Sequence, residues 1–142
     1  MQVKDLMSTH VISIHPQESV CVAARILAHY NIGILPVRDE SLRLCGLVTD
    51  RDIVTRCLAA NLSPEATAVS RIMTTGVQTV RPDTEASQAA HLMGRKQVRR
   101  LPVVEDGRLC GILSLGDLAV REESAFDAVD ALAEIAENLS SG

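Results

Sequence analysis

Residues 3–56 can be laid over residues 69–121 with a single gap at Leu42, and 16 of the 53 paired positions are then identical. The matches run in order. Val3 meets Val69, Met7 meets Met73, Pro16 meets Pro82, and Ala23-Ala24 meets Ala89-Ala90. Leu35-Pro36-Val37 meets Leu101-Pro102-Val103, Arg43-Leu44-Cys45-Gly46 meets Arg108-Leu109-Cys110-Gly111, and Asp52 meets Asp117. Two copies leave a chain few options. A solenoid needs at least three repeats to bury its faces, so a duplicated chain is expected to pack its halves on each other about a pseudo-two-fold axis. The 142 residues suit one domain, or two half-size units sharing a core.

Each half reads as β-α-β-β-α. In the first, Val11–Ile14 alternates weakly, Pro16 breaks the chain, and Ser19 opens a stretch with Val20, Ala23, Ala24 and Leu27 at helical spacing. Asn31 and Gly33 stop that helix. Ile34–Val37 and Leu44–Val48 are β-rich runs around a polar turn at Asp39–Ser41, and Asp50–Leu58 is a second helix with Ile53, Val54 and Leu58 on one face. The second half repeats the order, with Asp83 as helix N-cap and Glu105-Asp106-Gly107 as the tight turn. Between the halves, Ser63-Pro64-Glu65 is expected to start an extra turn of helix leading into Arg71-Ile72-Met73. The expected organisation is therefore repeat 1 at 3–58, a linker at 59–70, repeat 2 at 69–121, and a tail at 122–142.

Charge and composition exclude several classes of partner. A net charge of −4 and only two aromatic residues, Tyr30 and Phe126, do not suit nucleic acid or an acidic membrane surface, which call for clustered cations and, for single strands, stacked rings. No apolar run is long enough to span a bilayer, and the first residues do not read as a signal peptide, so a cytoplasmic protein is expected. Cys21, Cys45, Cys57 and Cys110 show no metal-ligand spacing and are expected to be reduced packing residues. No nucleophile, base and orienter set stands out. His10, His15, His29 and His91 lie in different elements, so no catalytic residue, no metal and no required cofactor are expected.

Two βαββα halves, each carrying L-P-V and then G-h-h-[TS]-x-x-D, resemble a tandem pair of cystathionine β-synthase (CBS) domains, the Bateman module. The motif copies are Gly46-Leu47-Val48-Thr49-Asp50-Arg51-Asp52 and Gly111-Ile112-Leu113-Ser114-Leu115-Gly116-Asp117. With Asn31-Ile32-Gly33 before L-P-V, and no further domain in this sequence, the chain is similar to stand-alone bacterial CBS-pair proteins of the hypoxic response protein kind. The resemblance implies an adenosine-containing regulatory ligand, such as AMP, ADP, ATP, NAD(H) or S-adenosylmethionine, in clefts between the halves. It also implies a homodimer and an effector protein still to be identified.

The residues of [TS]-x-x-D leave two readings open. A carboxylate on the first turn of a helix can accept from both hydroxyls of a ribose, with the Thr or Ser hydroxyl facing a phosphate. The same spacing is also a helix capping box. Carried over from the family, Thr49, Arg51 and Asp52 would share the stronger cleft with Arg99, Arg100, Thr75 and Val77. Ser114 and Asp117 would share the weaker one with Thr9, His10 and Ile34, because Gly116 replaces Arg51 there and the arginine pair is missing. Arg99 and Arg100 also read simply as part of a solvated basic helix end.

The tail, Glu122–Ser140, reads as an acidic amphipathic helix. Ala125, Phe126, Val129, Leu132, Ala133, Ala136 and Leu139 recur every three or four residues. Its apolar stripe is expected to be covered either by its own module or by a second subunit.

Overall fold

The computed structural model of the chain describes residues 1–141, save the side chains of residues 122, 123 and 139–141. Gly142, counted in the expected tail, and the Leu139 side chain, counted in its stripe, lie outside the described residues. The architecture is α/β, with two small sheets and a long C-terminal helix. Two compact units emerge. Unit A holds Ile12–Val77 and Gly107–Leu109, and unit B holds Met1–Val11, Gln78–Asp106 and the chain from Cys110 on. The segment that opens each sequence repeat thus belongs to the unit built around the other repeat.

In unit A, helix α1 (Val20–Tyr30) starts where Ser19 Oγ accepts from the Val22 N–H at 3.2 Å, and ends at Asn31 in the left-handed region, φ 52°. Its buried stripe is Val20, Ala23 and Leu27. Strands β1 (Ile34–Arg38) and β2 (Leu44–Thr49) pair antiparallel, Ile34 opposite Thr49, with a bulge after Val37. Asp39 Oδ1 accepts from the Ser41 and Arg43 N–H groups at 2.9 and 3.0 Å and closes the turn. The expected strand at Val11–Ile14 shrinks to one bridge, Ile14 to Val37. Pro36 turns its carbonyl to Ile14 but has no N–H with which to extend that ladder.

Two helical expectations need correction here. Ser63-Pro64-Glu65 forms turns rather than a helix, because its carbonyls serve α1 instead: Cys21 N–H donates to Pro64 O and Val20 N–H to Thr67 O, each at 2.9 Å. Asp50–Leu58 begins as an α-turn, α2 (Asp50–Asp52), and continues as a π-helix over Ile53–Leu58, with Ala59 N–H on Val54 O five residues back. The wider turn buries Ile53 and Cys57 and leaves Val54 and Leu58 exposed, not the face that α-spacing predicts.

Unit B repeats the plan with α3 (Ala86–Lys96), β3 (Arg100–Glu105), β4 (Arg108–Ser114) and α4 (Leu115–Ala119). Only the β4 residues from Cys110 belong to this unit. Asp106 and Gly107 both take positive φ, 53° and 78°, as a two-residue hairpin turn requires. The N-cap of α3 is Glu85 without a side-chain bond. Asp83, the expected cap, is turned to the Arg81 guanidinium at 3.2 Å. Helix α5 (Glu122–Ser141) buries Ala128, Ala131 and Ile135 rather than the apolar residues first counted along it. Among the cysteines only Cys57 is fully buried; the other three are half-buried and all four are free.

The two units share one device. Leu47 and Thr74 exchange backbone hydrogen bonds of 2.9 and 2.8 Å across the outer edge of β2, and Ser8 and Ile112 do the same on β4 at 2.9 Å each. A Cβ at Gly46 would lie 2.6 Å from Thr74 O, and one at Gly111 would lie 2.7 Å from Met7 Sδ. Glycine lets the extra segment close on the strand. Gly46→Ala should therefore cost about 1–3 kcal/mol in urea denaturation, and an unchanged midpoint would show that this edge contact does not hold the segment in place.

Candidate functional site

The two [TS]-x-x-D turns fold alike and are furnished differently. In unit A, Thr49 ends β2 in extended backbone and its Oγ1 accepts from Asp52 N–H at 3.0 Å, while Asp52 Oδ2 accepts from Thr49 N–H at 3.0 Å. In unit B, Ser114 Oγ accepts from Asp117 N–H at 3.0 Å and Asp117 Oδ2 from Ser114 N–H at 2.8 Å. Both are complete capping boxes. The capping reading of the motif is thus realised, and a binding role falls to whatever each carboxylate has left to offer.

Asp52 has little left. It is 7% exposed, Thr74 Oγ1 donates to both its oxygens at 3.3 Å, and Arg56 Nε lies 3.7 Å from Oδ1. Arg56 also donates from Nη1 to the Ile72 and Met73 carbonyls at 3.4 and 3.2 Å. Asp52 and Arg56 together clasp residues 72–74 to the start of the helix. Sequence reasoning missed Thr74 and Arg56, although the repeat alignment carried a signal: Arg56 is matched by Arg121 and Thr74 by Ser8. In unit B that clasp is absent among the described residues. Asp117 is half-buried, its Oδ1 has no hydrogen-bond partner there, and this oxygen is not sealed from solvent.

The other expected site residues divide between the units. Unit A holds Thr49, Arg51, Asp52, Thr75 and Val77, together with Ile34, which pairs with Thr49 across β1 and β2. Arg51 and Thr75 are exposed, and Val77 is half-buried. Unit B holds Ser114, Asp117, Thr9 and His10, together with Arg99 and Arg100. The Leu115 N–H donates to Arg99 O at 2.8 Å, which ties the arginine segment to the start of α4. Arg99 and Arg100 line a groove of about 450 Å³ with Ser114, Leu115 and Gly116 on one side and Ala128, Val129 and Leu132 of α5 on the other. Both arginines are exposed, and neither makes an ion pair among the described residues. Two unpaired guanidiniums beside backbone N–H groups and an apolar wall suit a ligand with an anionic end and a flat apolar body.

Neither half-buried thiol competes as a nucleophile. Burial pushes the Cys45 and Cys110 thiols above their usual range, with the Asp39 and Glu105 carboxylates adding to the effect. Among the described residues no cluster of three or more His, Cys, Asp or Glu side chains could hold a metal ion, and no helix is long and apolar enough to cross a membrane.

Duplicated strand pairs, each followed by a capped [TS]-x-x-D turn, define a tandem α/β module, and comparison with known proteins gives it a family. The chain belongs to the CBS domain family, which it matches over residues 3–59 and 69–124. It is 38% identical over 133 residues to the CBS domain-containing protein YhcV of Bacillus subtilis, covering 94% of each chain. It is 33% identical over 116 residues to hypoxic response protein 1 of Mycobacterium tuberculosis, covering 82% of this chain and 81% of that one. A crystal structure of hypoxic response protein I with two coordinated zinc ions superposes with a TM-score of 0.76 at 32% identity, over 84% of this chain and 97% of that one. Two ligand complexes are also similar. The CBS pair of protein MJ0100 with 5′-methylthioadenosine and S-adenosyl-L-methionine has a TM-score of 0.71 at 34% identity, over 84% and 93% of the two chains. CBSX2 in complex with AMP has a TM-score of 0.72 at 30% identity, over 95% and 98%.

The unequal furnishing of the two turns makes a prediction. Asp52→Ala removes a capping bond and a buried, three-partner carboxylate and should cost about 2–4 kcal/mol of stability, whereas Asp117→Ala removes the cap alone, about 1 kcal/mol. Urea denaturation of the two variants checks this. Equal losses would mean that Thr74 and Arg56 add nothing to the Asp52 turn.

Proposed function

We propose that the chain is a regulatory module rather than an enzyme, that it binds an adenosine-containing ligand, and that it reports that ligand to another protein. Support comes from the MJ0100 and CBSX2 complexes, whose CBS pairs hold 5′-methylthioadenosine, S-adenosyl-L-methionine and AMP. The observation that carries the reading is the groove in unit B, where Arg99 and Arg100 stand unpaired beside Ser114 and Gly116. Guanidinium forks meet phosphate oxygens in pairs, and Asp117, next in the chain, keeps one solvent-facing carboxylate oxygen for a ribose hydroxyl. In this reading Ser114, Asp117, Arg99 and Arg100, with Thr9 and His10 of the same unit, form the phosphate-preferring half-site. Thr49, Arg51, Thr75, Val77 and Ile34 form the poorer one, in which Asp52 positions the turn. That ranking reverses the one expected from family positions, because Asp52 is already saturated.

A second reading is favoured by the two complete capping boxes: a ligand-free scaffold in which [TS]-x-x-D only starts helices. Calorimetric titration separates the two. The ligand reading expects saturable heat with at least one of AMP, ATP, NADH and S-adenosylmethionine, and silence with all four would leave the scaffold. Replacing Arg99 and Arg100 together by alanine should then weaken AMP by about 1.5–3 kcal/mol per lost charge-assisted contact and adenosine hardly at all. A parallel loss for adenosine would remove the phosphate role.

A further inference from the structure

Helix α5 presents three separate faces. At about 100° per residue, Ser124, Ala128, Ala131 and Ile135 share one side and are buried. Asp127, Asp130 and Glu134 share a second side, along a crevice formed with Ser87 and His91 of α3. Phe126, Val129 and Leu132 share the third, and are 84%, 61% and 43% exposed. Val129 and Leu132 also wall the groove that holds Arg99 and Arg100. The uncovered apolar face is therefore bordered by carboxylates along one flank and by guanidiniums along the other.

That arrangement is complementary to itself in one orientation only. If two copies meet face to face about an axis perpendicular to the helices, they run antiparallel and each flank meets its own equivalent, carboxylate against carboxylate. If the axis runs along the helices, the copies are parallel and each flank meets the opposite one. We propose that α5 is the contact of a parallel two-fold homodimer. The Phe126, Val129 and Leu132 face of each copy covers the other's, and Asp130 and Glu134 of one copy face Arg99 and Arg100 of the second. Pairing removes an apolar stripe of the kind that soluble proteins rarely leave in water and satisfies two unpaired guanidiniums in each chain.

Light scattering of the full chain without nucleotide tests the pairing. Wild type is expected at twice the 15.3 kDa chain mass. Leu132→Asp, at a side chain already in contact with water, should raise the dimer dissociation constant about 100-fold without changing the melting temperature. A monomeric wild type, or a Leu132→Asp dimer as tight as wild type, overturns the proposal; the first result would leave the face to a different protein. Charge reversal then tests the orientation. Arg99→Glu with Arg100→Glu should weaken the dimer, and adding Asp130→Arg with Glu134→Arg to the same chain should restore it, because both flanks are then reversed. An affinity indifferent to these changes, as like flanks in an antiparallel pair would give, overturns the parallel arrangement.

Discussion

Thr74 O and a Cβ at position 46 cannot occupy the same space: the separation would be 2.6 Å. Because Gly46 has no side chain, the backbone of Met73 and Thr74 closes on the outer edge of β2, and the rest of the unit A site depends on that closure. Two backbone hydrogen bonds form with Leu47, Thr74 Oγ1 reaches the Asp52 carboxylate, and Arg56 can hold the carbonyls at 72 and 73 while facing the same carboxylate. Gly111 permits the equivalent closure of Met7 and Ser8 on β4. A segment that opens one sequence repeat thus finishes the sheet of the unit built around the other, so the duplicated units cannot be cut apart at the repeat boundary.

Much of this was legible in the residues. The two strand pairs, the helix stop at Asn31, the Asp106-Gly107 turn and the tail helix follow from apolar periodicity and turn chemistry, which act over a few residues. What was not legible depends on partners distant in sequence. The extra turn at Ser63-Pro64-Glu65 looks helical by composition, but its carbonyls are claimed by the first N–H groups of α1. The face of Asp50–Leu58 shifts because a π-helix advances differently from an α-helix, and nothing in that stretch announces the wider turn. The α5 stripe was read from its largest apolar residues, whereas its buried contacts are small: a Cβ at Gly94 of α3 would lie 3.3 Å from Ala131 Cα, so the helices meet where side chains are shortest. In the candidate site, the [TS]-x-x-D turns were legible and their inequality was not, since it lies in Thr74 and Arg56, and both have counterparts in the second repeat.

That inequality gives the duplicated module its character. Two turns of the same design begin from the same capping box, and in one of them the carboxylate is spent on fixing the fold while in the other an oxygen remains available. The arginine pair stands beside the second turn, against the wall supplied by α5. Duplication followed by divergence of this kind leaves one half as the more rigid support and the other as the half with chemistry to offer. Each can then change without disabling its counterpart.

The central claim is that unit B, through Arg99, Arg100 and the Ser114–Asp117 turn, recognises an adenine nucleotide. Amide-resolved NMR of the labelled chain during titration with AMP tests it most directly, because every non-proline backbone N–H reports separately. The account predicts saturable shifts centred on residues 99–100 and 114–117, with smaller changes at Val129 and Leu132. A spectrum unchanged at millimolar AMP, or shifts that saturate elsewhere while these amides stay still, would contradict it.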